Sequence, residues 1–273
     1  MPAIQSGYAE VNQARLYYEQ AGSGTPLIML HAGIADCRMW NNEFETFAKS
    51  HRVLRFDMRG YGKSPPVEGE FNLQDDLSAL LAALEIDAPL ILMGCSIGAG
   101  LAIDYALTHS QNVLALILVG GAPAGLEIEA EGPDELFAQS EQAFAEGDIE
   151  LVAEIDMKIW FDGFGRAADD VDPTSRQLAW EMARLVAEHE LKGIGSHVRK
   201  TFDKPAAERL GELEMPVLVV IGENDLPYLQ LAADYMLAHL PNATKALIPN
   251  AAHLPNMEQA EQFAAAVKQF LRA

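Results

Sequence analysis

The chain is poor in cysteine, poor in positive charge and without a long apolar run, and each shortage narrows what it can be. Two cysteines among 273 residues, Cys37 and Cys95, cannot build a disulfide framework and fit a reducing compartment. Lysine and arginine number 19 against 40 acidic residues, a formal net charge of -21. That surplus opposes a polyanion, so no nucleic-acid partner is expected. The longest apolar-looking stretch, Val113 to Leu126, is too short for a bilayer and is broken by Gly120, Gly121 and Pro123. Met1 to Gln20 has no basic region followed by an apolar one, so no secretory signal is read there. The expectation is a soluble cytoplasmic protein with no membrane association, monomeric or homodimeric. Internal repeats and low-complexity segments are absent as well.

What is present is an ordinary globular composition, 49% apolar and 22% charged, enough to bury a large core without staples. Tyr8 to Gln20 reads as a hairpin turning near Asn12 and Gln13. Short apolar runs then recur at Leu27–Leu30, Val53–Phe56, Leu90–Met93, Val113–Val119, Val217–Ile221 and Lys245–Ile248. Continuous rather than alternating runs suit parallel strands covered on both faces. Between them apolar residues recur at helical spacing, as in Leu73, Leu77, Leu80, Leu81 and Leu84, or Ala260, Phe263, Val267 and Phe270. Strand–helix alternation predicts an α/β fold with a mostly parallel, doubly wound sheet. From Pro123 to about Pro205 the strand series stops and the pattern is helical, with Asp172-Pro173 as a helix start. The expected organisation is a core of residues 1–122 and 206–273 with an inserted all-helical cap, 123–205.

Gly94-Cys95-Ser96-Ile97-Gly98 lies between the strand Leu90–Met93 and a helical pattern from Ala99. In that strand–turn–helix context G-x-S-x-G is a nucleophile elbow: a strained turn exposes the serine hydroxyl, and small flanking residues let chain pass close by. The helix N-terminus favours developing negative charge at the same spot. Cys95 lacks such flanks, because Met93 and Ile97 stand two residues away on either side, so Ser96 is the candidate nucleophile. A serine needs a base and the base an orienting acid, in chain order serine, acid, histidine. Asp225 falls in the loop after the strand Val217–Ile221, and His253 in the loop after Lys245–Ile248. Ligand chemistry gathers at these strand ends. Glu223 is the nearest alternative acid. His51, His109 and His239 fall near helix ends, and His189 and His197 in the cap.

With those residues in place the chain resembles the α/β-hydrolase superfamily, in its serine-nucleophile branch with a helical cap. Two further motifs carry the resemblance: His31-Ala32-Gly33 is similar to the H-G-x oxyanion loop, and Asp57 to Ser64 (DMRGYGKS) to the D-x-R-G-x-G-x-S turn. The resemblance implies attack by Ser96 on a carbonyl carbon, with His253 as general base and Asp225 fixing its tautomer. The backbone N–H groups of Gly33 and Ile97 would form the oxyanion hole. Two departures stand out. Ala32 replaces a frequent glycine, which leaves Gly33 or Ile34 as the second donor, and Asn250 replaces a glycine at the start of the histidine loop. Gly62-Lys63-Ser64 imitates the end of a phosphate-binding loop, but Asp57 stands where that loop requires glycine. No nucleotide, flavin or metal is expected, hence no cofactor.

Serine at the elbow points to acyl transfer. The expected function is a serine hydrolase cleaving a small to medium, mostly apolar carboxylic ester or lactone through an acyl-enzyme. Carbon–carbon bond hydrolases, enol-lactonases and a triad-bearing signal-binding protein with slow turnover are the alternatives. Trp40, Trp160 and Phe161 are the candidate substrate-binding residues. Met157, Phe164 and Trp180 belong to the same aromatic-rich cap, where packing inside the cap is the simpler role.

Overall fold

The apolar runs become one eight-stranded sheet in the computed structural model, which describes residues 2–163, 165–193, 197 and 203–272. Strand β1 (Gln5–Val11) turns back through Asn12 and Gln13, both at positive φ, into β2 (Ala14–Ala21). Such a two-residue turn matches the twist of the flanking strands. Then follow β3 (Pro26–Leu30), β4 (Arg52–Phe56), β5 (Leu90–Cys95), β6 (Val113–Val119), β7 (Val217–Gly222) and β8 (Ala243–Ile248). The spatial order is β1-β2-β4-β3-β5-β6-β7-β8. The pairs β1–β2 and β2–β4 are antiparallel, and every pair from β4 to β8 is parallel.

The helices are α1 (Asn41–Phe47), α2 (Leu73–Ala83), α3 (Ile97–Thr108), α4 (Asp134–Glu146), α5 (Ile149–Asp156), α6 (Pro173–Leu191), α7 (Ala206–Arg209), α8 (Pro227–His239), α9 (Pro255–Glu258) and α10 (Ala260–Phe270). Side chains of a strand alternate between faces, and β5 shows what that does here. Leu90 and Leu92 join the apolar layer that holds α2, α3 and α8. Ile91, Met93 and Cys95 join the opposite layer with α1 and α10. Both faces are covered, which is why the run is apolar at every position. On the open edge, β8 exposes Thr244, Lys245 and Leu247, and a charge there discourages pairing with another strand.

Between β6 and β7 the chain leaves the sheet through α4, α5, a π-helical turn at Met157–Asp162 and α6. Among the described residues of that stretch the sole β-type pairing is an isolated bridge from His197 to Phe71. Asp172 starts α6 as the spacing predicts: its carboxylate accepts the Ser175 N–H at 2.7 Å, ahead of Pro173 in the first turn. No helix of the described residues is long and apolar enough to cross a membrane.

The strand order positions the site. From β3 the chain moves one way to β4, then crosses back to β5 on the other side of β3. The loops leaving β3 and β5 therefore diverge and open a crevice at the carboxyl ends of the strands.

Candidate active site

Ser96 is the hinge between β5 and α3 and sits at φ 55°, ψ -115°, a region a side chain occupies only under constraint. Its N–H donates to Val119 O at 2.9 Å, and its carbonyl accepts from Ala99 and Gly100 at 3.0 and 3.1 Å. The flanking glycines are a steric necessity: a Cβ at Gly94 would overlap the Gly98 carbonyl, and one at Gly98 the Leu30 carbonyl. Ile97 is the first residue of α3, so its N–H lies among the helix donors without an intrahelical partner. Cys95, next to the serine, is buried among apolar residues, and burial raises its thiol well above the usual range.

Across the crevice, His253 and Asp225 are both buried, at 2% and 5% exposure. The imidazole Nδ1 lies 3.1 and 3.2 Å from the two Asp225 oxygens, and the Leu226 N–H donates to Oδ1 at 2.8 Å. Glu223 is used differently: its carboxylate accepts the Asn250 N–H at 3.1 Å. Asn250 itself adopts φ 54°, a left-handed conformation that asparagine tolerates better than most, so it can stand where glycine is frequent. The His253 N–H donates to Trp160 O at 3.1 Å, and the Trp160 ring lies 4.8 Å from the imidazole.

The loop after β3 is pinned from below. His31 is wholly buried; its Nδ1 donates to Ala32 O at 2.8 Å and its Nε2 accepts the Met58 N–H at 2.9 Å. That pairing describes a neutral ring, and burial lowers its pKa. The Ala32 N–H is taken by Met39 Sδ at 3.2 Å, while Gly33 lies against the Ile97 side chain. The DMRGYGKS turn is occupied in the same structural way. Asp57 accepts the N–H groups of Cys37 and Lys63 at 2.8 and 2.7 Å, and Arg59 pairs with buried Asp76 at 2.7 Å.

Ser96 opens into a cavity of about 580 Å³ whose lining includes Tyr61, Leu101, Gly120, Glu190 and Tyr228. Among the described lining residues there is no lysine or arginine. Burial pushes the Tyr61 and Tyr228 phenols up to about 12, so both stay neutral hydrogen-bonding groups. Burial also raises Glu190, and burial plus the Glu190 charge pushes nearby Asp156 up to about 7.

The structure therefore brings Asp225 to His253, and Gly33 to Ile97 at the serine. The expected substrate-binding aromatics separate. Trp40 is fully buried against Phe263, with ring centroids 6.2 Å apart, and Phe161 is fully buried in the same layer. Neither lines the cavity, because the short helix Cys37–Trp40 and the π-helical turn direct both rings into the core. Of the three, Trp160 alone touches the histidine. Met157 is buried and Trp180 half-buried in that layer, while Phe164 lies outside the described residues. His109 and His239 bond the carbonyls four residues back in their own helices, and His189 donates to Gly60 O at 2.9 Å.

Three contributors escaped the sequence reading. Gly120 is the floor under the acid–base pair: at φ 51°, a Cβ there would stand 2.9 Å from His253 Nδ1 and 3.1 Å from Asp225 Oδ2. Asn256 reaches from α9 to Met39 O at 2.7 Å, tying the histidine loop to the loop that carries Gly33. Arg166 binds the carbonyls of Phe161 and Asn250 and the Glu258 carboxylate, whose other oxygen holds the Ala252 N–H. Gly120-Gly121 was visible as a pair after a strand; the roles of Asn256 and Arg166 depend on contacts across at least 84 residues of sequence.

Comparison with known proteins places this geometry. Residues 25–260 match the family described as alpha/beta hydrolase fold. The chain is 28% identical to a pimeloyl-[acyl-carrier protein] methyl ester esterase of Nitrosospira multiformis, over 96% of this chain and 100% of that one. It is 26% identical to 2-hydroxy-6-oxononadienedioate/2-hydroxy-6-oxononatrienedioate hydrolase 2 of Pseudomonas putida, over 99% and 97% of the two chains. Among solved structures, the enol-lactonase of Burkholderia xenovorans superposes with a TM-score of 0.78 at 22% identity, covering 98% of this chain and 100% of that one. At that identity the likeness is one of fold.

Proposed function

The chain belongs to the α/β-hydrolase fold family and is a hydrolase, and from that premise we propose that it cleaves a small to medium, mostly apolar carboxylic ester or lactone through an acyl-enzyme on Ser96. The observation that carries this reading is the strained serine at the head of α3, opening into a cavity beside a buried, paired histidine and aspartate. In the proposed reaction Ser96 Oγ attacks the carbonyl carbon as His253 Nε2 takes its proton. Asp225 keeps the other ring proton on Nδ1 and stabilises the imidazolium. The N–H groups of Ile97 and Gly33 hold the oxyanion, worth about 10²–10³ in rate for a single donor. His253 then protonates the leaving alkoxide and activates the water that releases the acid.

Residues 123–205 act as the lid over this site in the same reading, anchored by Arg166 and the Trp160 carbonyl at the histidine loop. Glu190 in the cavity wall, with no lysine or arginine among the described lining residues, favours an ester or lactone without extra negative charge over a dicarboxylate. A fluorophosphonate probe tests the reading. One adduct should form, map to Ser96 and vanish in Ser96→Ala and His253→Ala. Absence of the adduct on folded native protein would sink the acyl-enzyme and favour a receptor that binds without turnover.

A further inference from the structure

The loop that carries His253 is gripped from outside the sheet. The neighbouring loop after β7 takes two of its backbone groups: the Asn250 N–H donates to the Glu223 carboxylate at 3.1 Å, and the Ala251 carbonyl accepts the Asn224 N–H at 2.8 Å. The segment inserted between β6 and β7 takes three others. Arg166 Nη1 donates at 2.9 Å to Asn250 O, which also accepts a longer bond of 3.3 Å from Gln259. The His253 N–H donates to Trp160 O at 3.1 Å. The third contact has one intermediary: Arg166 Nη2 bonds one Glu258 oxygen at 2.6 Å, and the other oxygen takes the Ala252 N–H at 2.7 Å. At Gly163 the two segments come so close that a Cβ would stand 2.5 Å from Ala252 Cβ and 2.6 Å from Asn224 O.

Arg166 is itself fixed on its own side. Its Nε and Nη2 donate to the carbonyls of Asp162 and Phe161 at 2.5 and 2.8 Å, at the end of the π-helical turn. The Asp162 carboxylate in turn pairs with Arg176 of α6 at 2.8 Å. The Arg166 and Glu258 side chains are 10% and 4% exposed, and a pair so far out of water persists only when its donors and acceptors are used. The planar guanidinium fork meets three carbonyls and a carboxylate together, which a single ammonium cannot do.

Resting on the reading of Ser96 as nucleophile and His253 as its base, we propose that Arg166 is a positioning residue for the reaction: through Glu258 and the Asn250 carbonyl it holds the histidine loop so that the imidazole stays aligned between Asp225 and Ser96. The inserted segment then serves the chemistry as well as covering the cavity. Burial already pushes the Glu258 carboxyl up to about 7 against the pull of Arg166. Without the guanidinium it takes up a proton at neutral pH, and its hold on the Ala252 N–H weakens to that of a neutral group. A misplacement of about 1 Å at a reacting group costs roughly 10² in rate. Acylation and deacylation both use His253, so the loss falls on kcat and spares KM.

The experiment measures kcat and KM for p-nitrophenyl acetate, with kcat expressed per fluorophosphonate-labelled serine, and Tm alongside. The full-length native chain is compared with Arg166→Gln, Arg166→Lys, Glu258→Gln and the double variant Arg166→Gln/Glu258→Gln. Arg166→Gln should lower kcat at least tenfold with KM within twofold, and slow the labelling rate in parallel. Should that variant misfold, Arg166→Lys, which keeps the charge, and Glu258→Gln read the same split with losses of at least threefold. The double variant should lose no more than the worse single change, because both act on one path. Losses that multiply would overturn the path through Glu258. A kcat per labelled serine within twofold of native, whatever happens to Tm, would make the pair a structural pin and overturn the proposal while native labelling and acetate hydrolysis persist. Failure of the native protein to label would instead remove the nucleophile reading, and the role of Arg166 with it.

Discussion

The sheet side of the candidate site and the helical segment inserted between β6 and β7 are held by different kinds of contact. On the sheet side the reacting residues sit in loops that leave no room. Gly94 and Gly98 admit no side chain, and Gly120 lies under both His253 and Asp225. Backbone groups fix the rest, through Ser96 N–H on Val119 and Asn224 N–H on Ala251. The segment 123–205 holds 19 acidic and eight basic residues, a net of -11 out of -21 in less than a third of the chain. Several of its ion pairs are solvent-facing, such as Arg184 with Glu150 and Glu188. Exposed pairs are exchangeable at little cost, whereas a close backbone approach is not. On the proposed function, chemistry would sit where the sequence has no latitude, and selectivity where it has some.

The sharpest way to break that contrast is Gly120→Ala. The new methyl would crowd His253 Nδ1 and Asp225 Oδ2 at a φ of 51°, so kcat should fall by about 10²-fold with KM for a short ester little changed. Unchanged turnover in a folded Gly120→Ala protein would mean the floor has slack. A second test concerns Glu43, which is wholly buried beside Asn256, near the tie between the histidine loop and Met39. Burial raises its carboxyl from 4.5 to about 8, against the opposing pull of its own N–H, Asn256 and Arg55. A raised folded-state pKa means that the unfolded chain releases this proton first. The contribution to stability is whole below about 4.5 and is lost as pH rises through about 8, a range on the order of a few kcal/mol. Thermal melts from pH 5 to 9 should therefore show the native protein losing Tm more steeply than Glu43→Gln; parallel curves would refute it. Asp156 and Glu258, both pushed up to about 7 mainly by burial, slope the same way in both proteins and cancel in the difference. The smallest effect belongs to the inserted helices: Arg184→Gln should shift Tm by no more than about 2 °C and leave kcat alone. A large loss there would mean that the surface pairs of α5 and α6 matter as much as the sheet loops.

Much of this was legible in the residues. The strand runs and the hairpin turn at Asn12-Gln13 fall where the pattern predicts, because strands buried on both faces must be apolar at every position. The G-x-S-x-G frame, Asp225 and His253 are likewise local: each sits where a recognisable strand ends. The aromatic assignments fared differently. Trp40 and Phe161 are the right kind of residue for a pocket wall, yet side-chain type does not say which way a short turn faces, and both rings point into the core. The cavity wall drew on Tyr61, Leu101, Glu190 and Tyr228, four residues from separate parts of the chain that no spacing connects.

By itself, then, the sequence determined the sheet, the strained turn at Ser96 and the strand-end loops that carry Asp225 and His253, since each follows from contacts within a few residues or from one strand's periodicity. Tertiary structure alone decided what surrounds them. Asn256 reaches Met39, Arg166 spans Asn250 and Glu258, and α3 turns one face, from Ile97 to Asp104, to the cavity at Ser96. These depend on how distant segments pack, and a chain encodes that only through the sum of many weak contacts.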